Sequence, residues 1–402
     1  MKTVENTFGT AADPKGGKPK QVSILGVAAA IATITSVGVA IGLSYPLLSF
    51  LLEQRGYSPT LIGANTAAAG VASIVTVPFV NPLARRLGVA FTLALSSVVA
   101  AASLMGFFFF PSIAAWFALR IVFHGALTAS FILSEFWINS SAPDAKRGLV
   151  LGIYATVLSV GFATGPALLA LLGTAGVMPF AVGTGIILLS ILPALAAYAH
   201  QPELRSDKPT LPVWRFLWLV PLATMAAFVF GAVEQAGLAL FPVYGARTGY
   251  TETQIALLLM ALAFGNVVFQ IPLGLVSDRM KDRSWLLFAC AAAGAIGSIS
   301  LPIIIDWPSA LAVGVFIWGG VAAGLYTVGL VHLGARLSGS DLAQANAAFV
   351  LAYAIGMVAG PQLAGIAMDL ANPHGFAYAL AAMFGIYMVL IVFRRGREIV
   401  RK

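Results

Sequence analysis

Charge is what this chain most lacks. Only 9% of its 402 residues are Asp, Glu, Lys or Arg, and 59% are hydrophobic, where a typical soluble protein carries about 25% charged residues. A water-soluble fold of this length could not cover its surface with so few charges, so its exterior is expected to face lipid. Cysteine is nearly absent as well. The single Cys290 lies in an apolar stretch, which excludes an intrachain disulfide and a thiolate-built metal cluster. No Gly-x4-Gly-Lys-[Ser/Thr] run occurs, so an ATP-driven pump encoded in this chain is excluded. No metal and no cofactor are expected. The period-2 alternation of a half-buried strand is missing too, since the apolar runs are long and rich in Ala, Leu and Gly.

What is present is a series of those runs. A helix needs roughly 20 apolar residues to span hydrocarbon, because every backbone polar group must be satisfied internally. Twelve runs meet this, at about 22–52, 60–83, 89–110, 112–139, 148–172, 176–199, 215–245, 252–276, 284–305, 308–337, 342–370 and 376–393. The fold class expected is an all-α polytopic membrane protein of two six-helix bundles. The polar stretch HQPELRSDKPTLPVWR divides the runs six and six. The expected organisation is therefore a tail (1–21), a bundle (22–199), a linker (200–214), a second bundle (215–393) and a basic tail (394–402). The first run exceeds a signal-peptide core and is read as a retained span.

Basic residues set the orientation. With the N-terminus inside, the inner loops and tails hold twenty of the twenty-three Lys and Arg, the outer loops hold Arg55 and Arg247, and Arg120 lies within a span. The positive-inside rule then places both termini in the cytoplasm and the protein in the cytoplasmic membrane. Topology explains the basic excess, and no nucleic-acid partner is expected. Trp116, Trp137, Trp214, Trp218, Trp285 and Trp307 fall near span ends, where amphipathic rings suit the headgroup level. Trp318 lies well inside its span.

The halves repeat. RGYSPTLIG (55–63) is similar to TGYTETQIA (248–256), an offset of 193 that also sets NPLARRLG (81–88) on GLVSDRMK (274–281). GFATGP (161–166) pairs with GMVAGP (356–361). Two six-helix halves in parallel repeat describe a transporter with its site near the midplane.

Polar residues inside spans are the candidates for that site. At 100° per residue, Arg120, His124, Thr128, Phe131 and Glu135 fall within about 80° of one another. A charge facing lipid costs roughly 2.5–3.5 kcal/mol or more, so this stripe should line a cavity. His124 could carry a coupled proton, or could simply bridge two helices as a neutral imidazole. Glu234, in FVFGAVEQAGLALF, lies too deep to reach the interface. An unpaired carboxylate there takes a proton or meets a cation, and a structural pair with Arg120 is the bland alternative. Gln235 points about 100° away from it. Asn266, Trp318 and Tyr326 are further cavity candidates, with packing an equal reading. Asp341 and Gln344 look like a capping pair, and His332 lies near an inner span end.

PLGLVSDRMKDR (272–283) crowds five charges between two apolar runs. It resembles a signature of the Major Facilitator Superfamily, Gly-x-Leu-Ala-Asp-Arg-x-Gly-Arg-Lys. Gly274, Val276, Ser277, Asp278, Arg279 and Arg283 stand in register, and Lys281 and Asp282 depart. The resemblance covers essentially all of 22–393. It implies that Asp278 and Arg279 form cytoplasmic gate pairs that hold an outward-open state. In the first half Leu83, Ala84, Arg86 and Gly88 match, but Arg85 replaces the acid. A basic residue here, with a Glu near the end of the fourth helix (Glu135, in SEFWIN), is similar to the YcaD-like group. So is LYTVGLVHLGARLSGSDLAQANAAFVLAYAIGMVAGPQLAG. Glu135 could serve as a structural partner of Arg85, Arg86 or Arg147. Arg120 resembles the Arg of the family's fourth-helix motif. Gly152, Gly161, Gly165 and Pro166 resemble its antiporter motif, whose last two glycines are here Leu169 and Ala170. Close helix packing, through these and through Gly356, Gly360 and Pro361, is the plainer account.

The expected function is secondary active transport of a small organic solute by alternating access, proton-coupled, in a monomer. Sparse polarity with one acid favours efflux, and uptake of a metabolite is the alternative. A membrane enzyme would need catalytic residues clustered at one face, and the outer loops are short and nearly chargeless. A transport-inactive sensor with the same fold would keep binding and lose solute movement.

Overall fold

The structure, a computed structural model, describes residues 24–141, 147–202, 214–280, 282–334 and 339–400. Among these the regular structure is helical, with no strand. The α-helices are α1 (Ile24–Gln54), α2 (Pro59–Leu87), α3 (Val89–Phe109), α4 (Ile113–Ser141), α5 (Arg147–Leu172), α6 (Met178–Leu189) and α7 (Ile191–Ala196). They continue as α8 (Trp214–Leu219), α9 (Pro221–Arg247), α10 (Glu252–Arg279), α11 (Ser284–Ile304), α12 (Pro308–Gly334), α13 (Gly339–Leu370) and α14 (Gly375–Val400). Twelve segments are long and apolar enough to cross a bilayer, and the expected runs fall on them within a few residues.

Two expected runs are broken. The sixth is split between α6 and α7 at Ser190, whose hydroxyl donates to the Ile187 carbonyl at 2.7 Å. The seventh begins as α8 and restarts at Pro221. Proline has no N–H to continue the helix and disfavours helical backbone before it, and Val220 accordingly sits at φ −123°, ψ 57°. Other prolines, such as Pro46, Pro166, Pro242 and Pro361, are accommodated inside helices.

The repeated RGY and TGY segments close alike. Gly56 and Gly249 both take positive φ, 77° and 90°, which glycine adopts at no steric cost. The following Tyr57 and Tyr250 N–H groups donate to the Leu52 and Gly245 carbonyls at 3.1 and 3.0 Å. Ser58 and Thr251 then cap the next helices by accepting from Leu61 N and Gln254 N, both at 3.3 Å. The end of the helices that carries these two loops is the distal end, and the opposite end is proximal.

Packing divides the chain into two compact units. One gathers residues of 1–41, 75–165 and 180–206, and the other those of 42–74, 166–179 and 207–402. The grouping follows contact rather than repeat, so the distal parts of α1 and α2 belong with α9 to α14. In the first unit Phe107 meets Trp116 and Phe123 edge to face, at 5.4 and 6.2 Å. Trp116 and Trp137 are fully buried, against the expectation that they lie at the headgroups. Trp116 Nε1 reaches the Phe110 carbonyl at 2.9 Å, which lets the indole turn inward. Trp218, Trp285 and Trp307 are exposed as expected. The second unit has a proximal core of Phe216, Ala223, Ala227, Leu333 and Phe349. Phe264, Ile271, Ile303 and Val389 are exposed, a liability in water that suits a lipid solvent.

Candidate transport site

Helix α9 is enclosed by protein, and its charged residue is the exception. From Val229 to Gly245 every residue is buried except Glu234, which is partly exposed. Its Oε2 accepts a 2.6 Å hydrogen bond from the Tyr353 hydroxyl of α13.

Glycines set the spacing of that bond. A Cβ at Gly231 would lie 2.3 Å from the Tyr353 carbonyl oxygen. At Gly356 it would lie 2.0 Å from the Phe228 carbonyl oxygen, and at Gly360 2.1 Å from that of Ala232. Helices α9 and α13 therefore meet backbone to backbone, as small residues permit in membranes, and the seam holds Glu234 and Tyr353 at fixed distance. Two rings pack against the tyrosine and a third lies behind them. Phe230, one turn before Glu234, lies 5.9 Å from Tyr353 and 5.5 Å from Tyr326 of α12. Tyr326 lies 5.9 Å from Tyr353 and 5.0 Å from Phe349. Gln235 is buried, and its Oε1 has no partner among the described residues.

The other expected cavity residues are placed as follows. Arg120 is 0% exposed in the first unit, with its guanidinium carbon 6.0 Å from the Phe107 ring centroid. His124 is buried beside it, with Nδ1 3.2 Å from the Arg120 carbonyl oxygen. Asn266 on α10 is partly buried, and its Oδ1 accepts from Gln270 at 2.8 Å. Trp318 is held by packing, with Nε1 donating to the Gly294 carbonyl and Ser298 Oγ at 3.2 and 3.0 Å. Tyr326 packs against Tyr353, the hydrogen-bond partner of Glu234. The side chains of Asp341, Gln344 and Arg147, and the surroundings of Gly152, are not among those described. Gly161 packs on α1, since a Cβ there would lie 2.8 Å from the Thr35 carbonyl oxygen.

The distal end carries contacts that sequence reasoning missed. Arg247 at the end of α9 forks onto Glu53 of α1, with Nε to Oε1 at 2.7 Å and a second guanidinium bond to Oε2 at 3.1 Å. It also donates to Asn372 Oδ1 at 2.9 Å. Glu252 accepts from Gln54 at 2.6 Å and from Thr174 at 2.8 Å. Asp369 at the end of α13 accepts from the Thr60 N–H at 2.9 Å, where a helix N-terminus favours negative charge. Backbones are in contact below these bonds. Cβ atoms at Gly63 and Gly365 would lie 2.2 and 2.4 Å from the Pro361 and Pro59 carbonyl oxygens. The available signal was that Arg247 is one of only two basic residues in the distal loops.

The proximal end carries the signature charges. Asp278 and Arg279 are exposed and form no ion pair among the described residues. Arg85, Arg86 and Glu135 are likewise exposed and without an ion pair among them, and Arg283 is half-buried. Asp282, a departure from the signature, is engaged instead. It pairs with Arg395 of α14, whose guanidinium lies 4.4 Å from the Trp285 ring centroid. Burial would raise the Asp282 carboxyl, but its bonds to Ser284 and the Arg395 charge outweigh this and hold it below the ordinary value.

Comparison with known proteins decides the family. The sequence model of the Major Facilitator Superfamily matches residues 29–252 and 239–402. The chain belongs to the Major Facilitator Superfamily. It is 25% identical over 363 residues to the MFS-type transporter YfkF of Bacillus subtilis (strain 168), covering 88% of this chain and 92% of that protein. It is 23% identical over 361 residues to YcaD of Shigella flexneri serotype 5b, covering 89% and 93%, in agreement with the YcaD-like group. The nucleoside transporter NupG shares the fold at 12% identity and TM-score 0.75, over 92% of this chain and 98% of that one. A bacterial homologue of the lysosomal transporter Spinster, described as inward-facing and unoccupied, shares it at 15% and 0.68, over 94% and 96%. This superfamily member is a multi-pass secondary transporter of small solutes and not an enzyme.

Proposed function

We propose that this superfamily member exports a small organic solute from the cytoplasm in exchange for protons, with both termini cytoplasmic and Glu234 carrying the proton. The observation that carries the reading is the exposure of Glu234 on an otherwise enclosed helix, with a tyrosine and not a cation as its hydrogen-bond partner. A deep carboxylate in that setting must take a proton or meet a cationic ligand. With the termini inside, the distal end faces outward, and its latch at Glu53, Arg247, Glu252 and Asp369 is closed. Asp278 and Arg279, without an ion pair among the described residues, fit a state closed at the distal face, since their pairing is expected in the opposite state. Bistable closures of this kind let one site alternate between two sides.

Proteoliposomes with an imposed pH gradient test the proposal, using a panel of tetraphenylphosphonium, uridine and benzoate as probes. At least one solute should move against the proton flux in native protein, with the movement abolished in Glu234→Gln. Undiminished gradient-driven movement in the variant would contradict the assignment.

A further inference from the structure

We infer that the Glu234 site takes an organic cation, a bulky ammonium or phosphonium. The inference rests on the transport reading above and adds the class of solute. Three features of the second unit point to it. The site presents one carboxylate whose hydrogen-bond partner is a tyrosine hydroxyl, and the ion pairs among the described residues of the second unit, Glu53 with Arg247 and Asp282 with Arg395, do not engage it. Its walls are aromatic: Phe230, Tyr326 and Tyr353 form a chain of rings at 5.5–5.9 Å centroid spacing. Ring faces attract a cation within about 6 Å, more strongly where it is desolvated.

The geometry ties rings and acid together. Phe230 and Glu234 are four residues apart on α9 and share a face. Tyr353 bridges the two features, since its hydroxyl holds the carboxylate while its ring lies 5.9 Å from both Phe230 and Tyr326. Phe349, one turn before Tyr353 on α13, is fully buried in the proximal core and backs Tyr326. A cation seated against these rings would have the carboxylate within reach for charge neutralisation. A neutral sugar would find few hydrogen-bond partners here, and an organic anion would face an uncompensated acid. Cation and proton thus compete for one carboxylate: the cation binds the ionised form, and the proton departs as it does so. Exchange then follows from single occupancy, without a second coupling site.

Purified protein in lipid nanodiscs, in weak buffer near neutral pH, tests this with tetraphenylphosphonium, using the neutral triphenylphosphine oxide as the charge control. Tetraphenylphosphonium should bind and release protons, with affinity falling as pH is lowered, and the neutral compound should bind at least tenfold more weakly. Phe230→Leu and Tyr326→Leu should each weaken binding about tenfold, while Tyr326→Phe keeps it. These ring variants decide the matter even where Glu234→Gln does not fold. Absence of tetraphenylphosphonium binding, or equal binding of the neutral compound, would overturn the inference. If uridine or benzoate movement in liposomes still required Glu234, the transport proposal would survive that loss. Conversely, cation binding with proton release but no gradient-driven transport would sink the transport proposal and leave the cation site standing.

Discussion

The distal and proximal ends of the second unit differ in what their charges hold together. At the distal end, Glu53, Gln54 and Thr60 from the first sequence half meet Arg247, Glu252 and Asp369 from the second. At the proximal end the engaged pair, Asp282 with Arg395, joins two residues of the same half, and Asp278 and Arg279 are exposed. One end is a clasp across the repeat and the other is a brace within it. A transport cycle must break clasps and can leave braces intact. The distal contacts are therefore the ones expected to change between states, and the Asp282 pair is expected to persist.

The largest effect on this contrast should come from backbone contact. Gly365→Leu or Gly63→Leu places a side chain where even a Cβ would lie 2.4 or 2.2 Å from a carbonyl oxygen. Overpacking of this kind costs about 1–3 kcal/mol or more, which would move the distal equilibrium toward open by about 5- to 150-fold. Distances between spin labels placed at Tyr57 and Asn372 should lengthen in these variants. Unchanged distances would show that the glycine contacts do not govern closure. Arg247→Ala should act in the same direction and less strongly. It removes a two-pronged, partly buried pair of about 1–2 kcal/mol, so the open population should rise about 5- to 30-fold by the same measurement.

The seam beside the site offers a third test. Gly356→Ala sets a methyl against the Phe228 carbonyl and should separate Glu234 from Tyr353. A shallower pH dependence of transport with little change in protein yield is the expected result; an unaltered pH profile would mean that the seam does not position the acid. The smallest effect belongs to the brace. The Asp282 carboxyl is held below its ordinary value in the folded protein. Its contribution is thus present above the unfolded value, about 3.9, and is lost as pH falls through the lowered one. The pair is exposed, so Arg395→Ala should cost less than about 1 kcal/mol at neutral pH, with no loss at pH values below both. A thermal-stability difference that grew on acidification would contradict the pairing.

The spans were legible because a bilayer demands long apolar runs whatever the sequence detail. The first loop and its repeat were legible for a similar reason: Gly56 and Gly249 both carry the positive φ that ends a helix. Burial around the helix axis was not. Trp116 and Trp137 lie near span ends, yet the face they occupy turns them inward. Glu234 stood out as an isolated acid, but its partner Tyr353 lies 119 residues away and is brought near by a seam of three glycines. Glu53 and Arg247 were hidden by a separation of 194 residues. Asp282 departs from the signature, and its pairing was not legible because its partner Arg395 lies 113 residues away in another helix.

Accessibility of position 234 tests the central claim most directly. The native thiol, Cys290, is buried, so Glu234→Cys in a Cys290→Ala background gives one reactive site. A membrane-impermeant thiol reagent should label it from the cytoplasmic side and not from outside, and adding Gly365→Leu should admit the reagent from outside. Labelling from neither side, or from outside with the distal latch intact, would contradict an alternately exposed acid at the heart of this transporter.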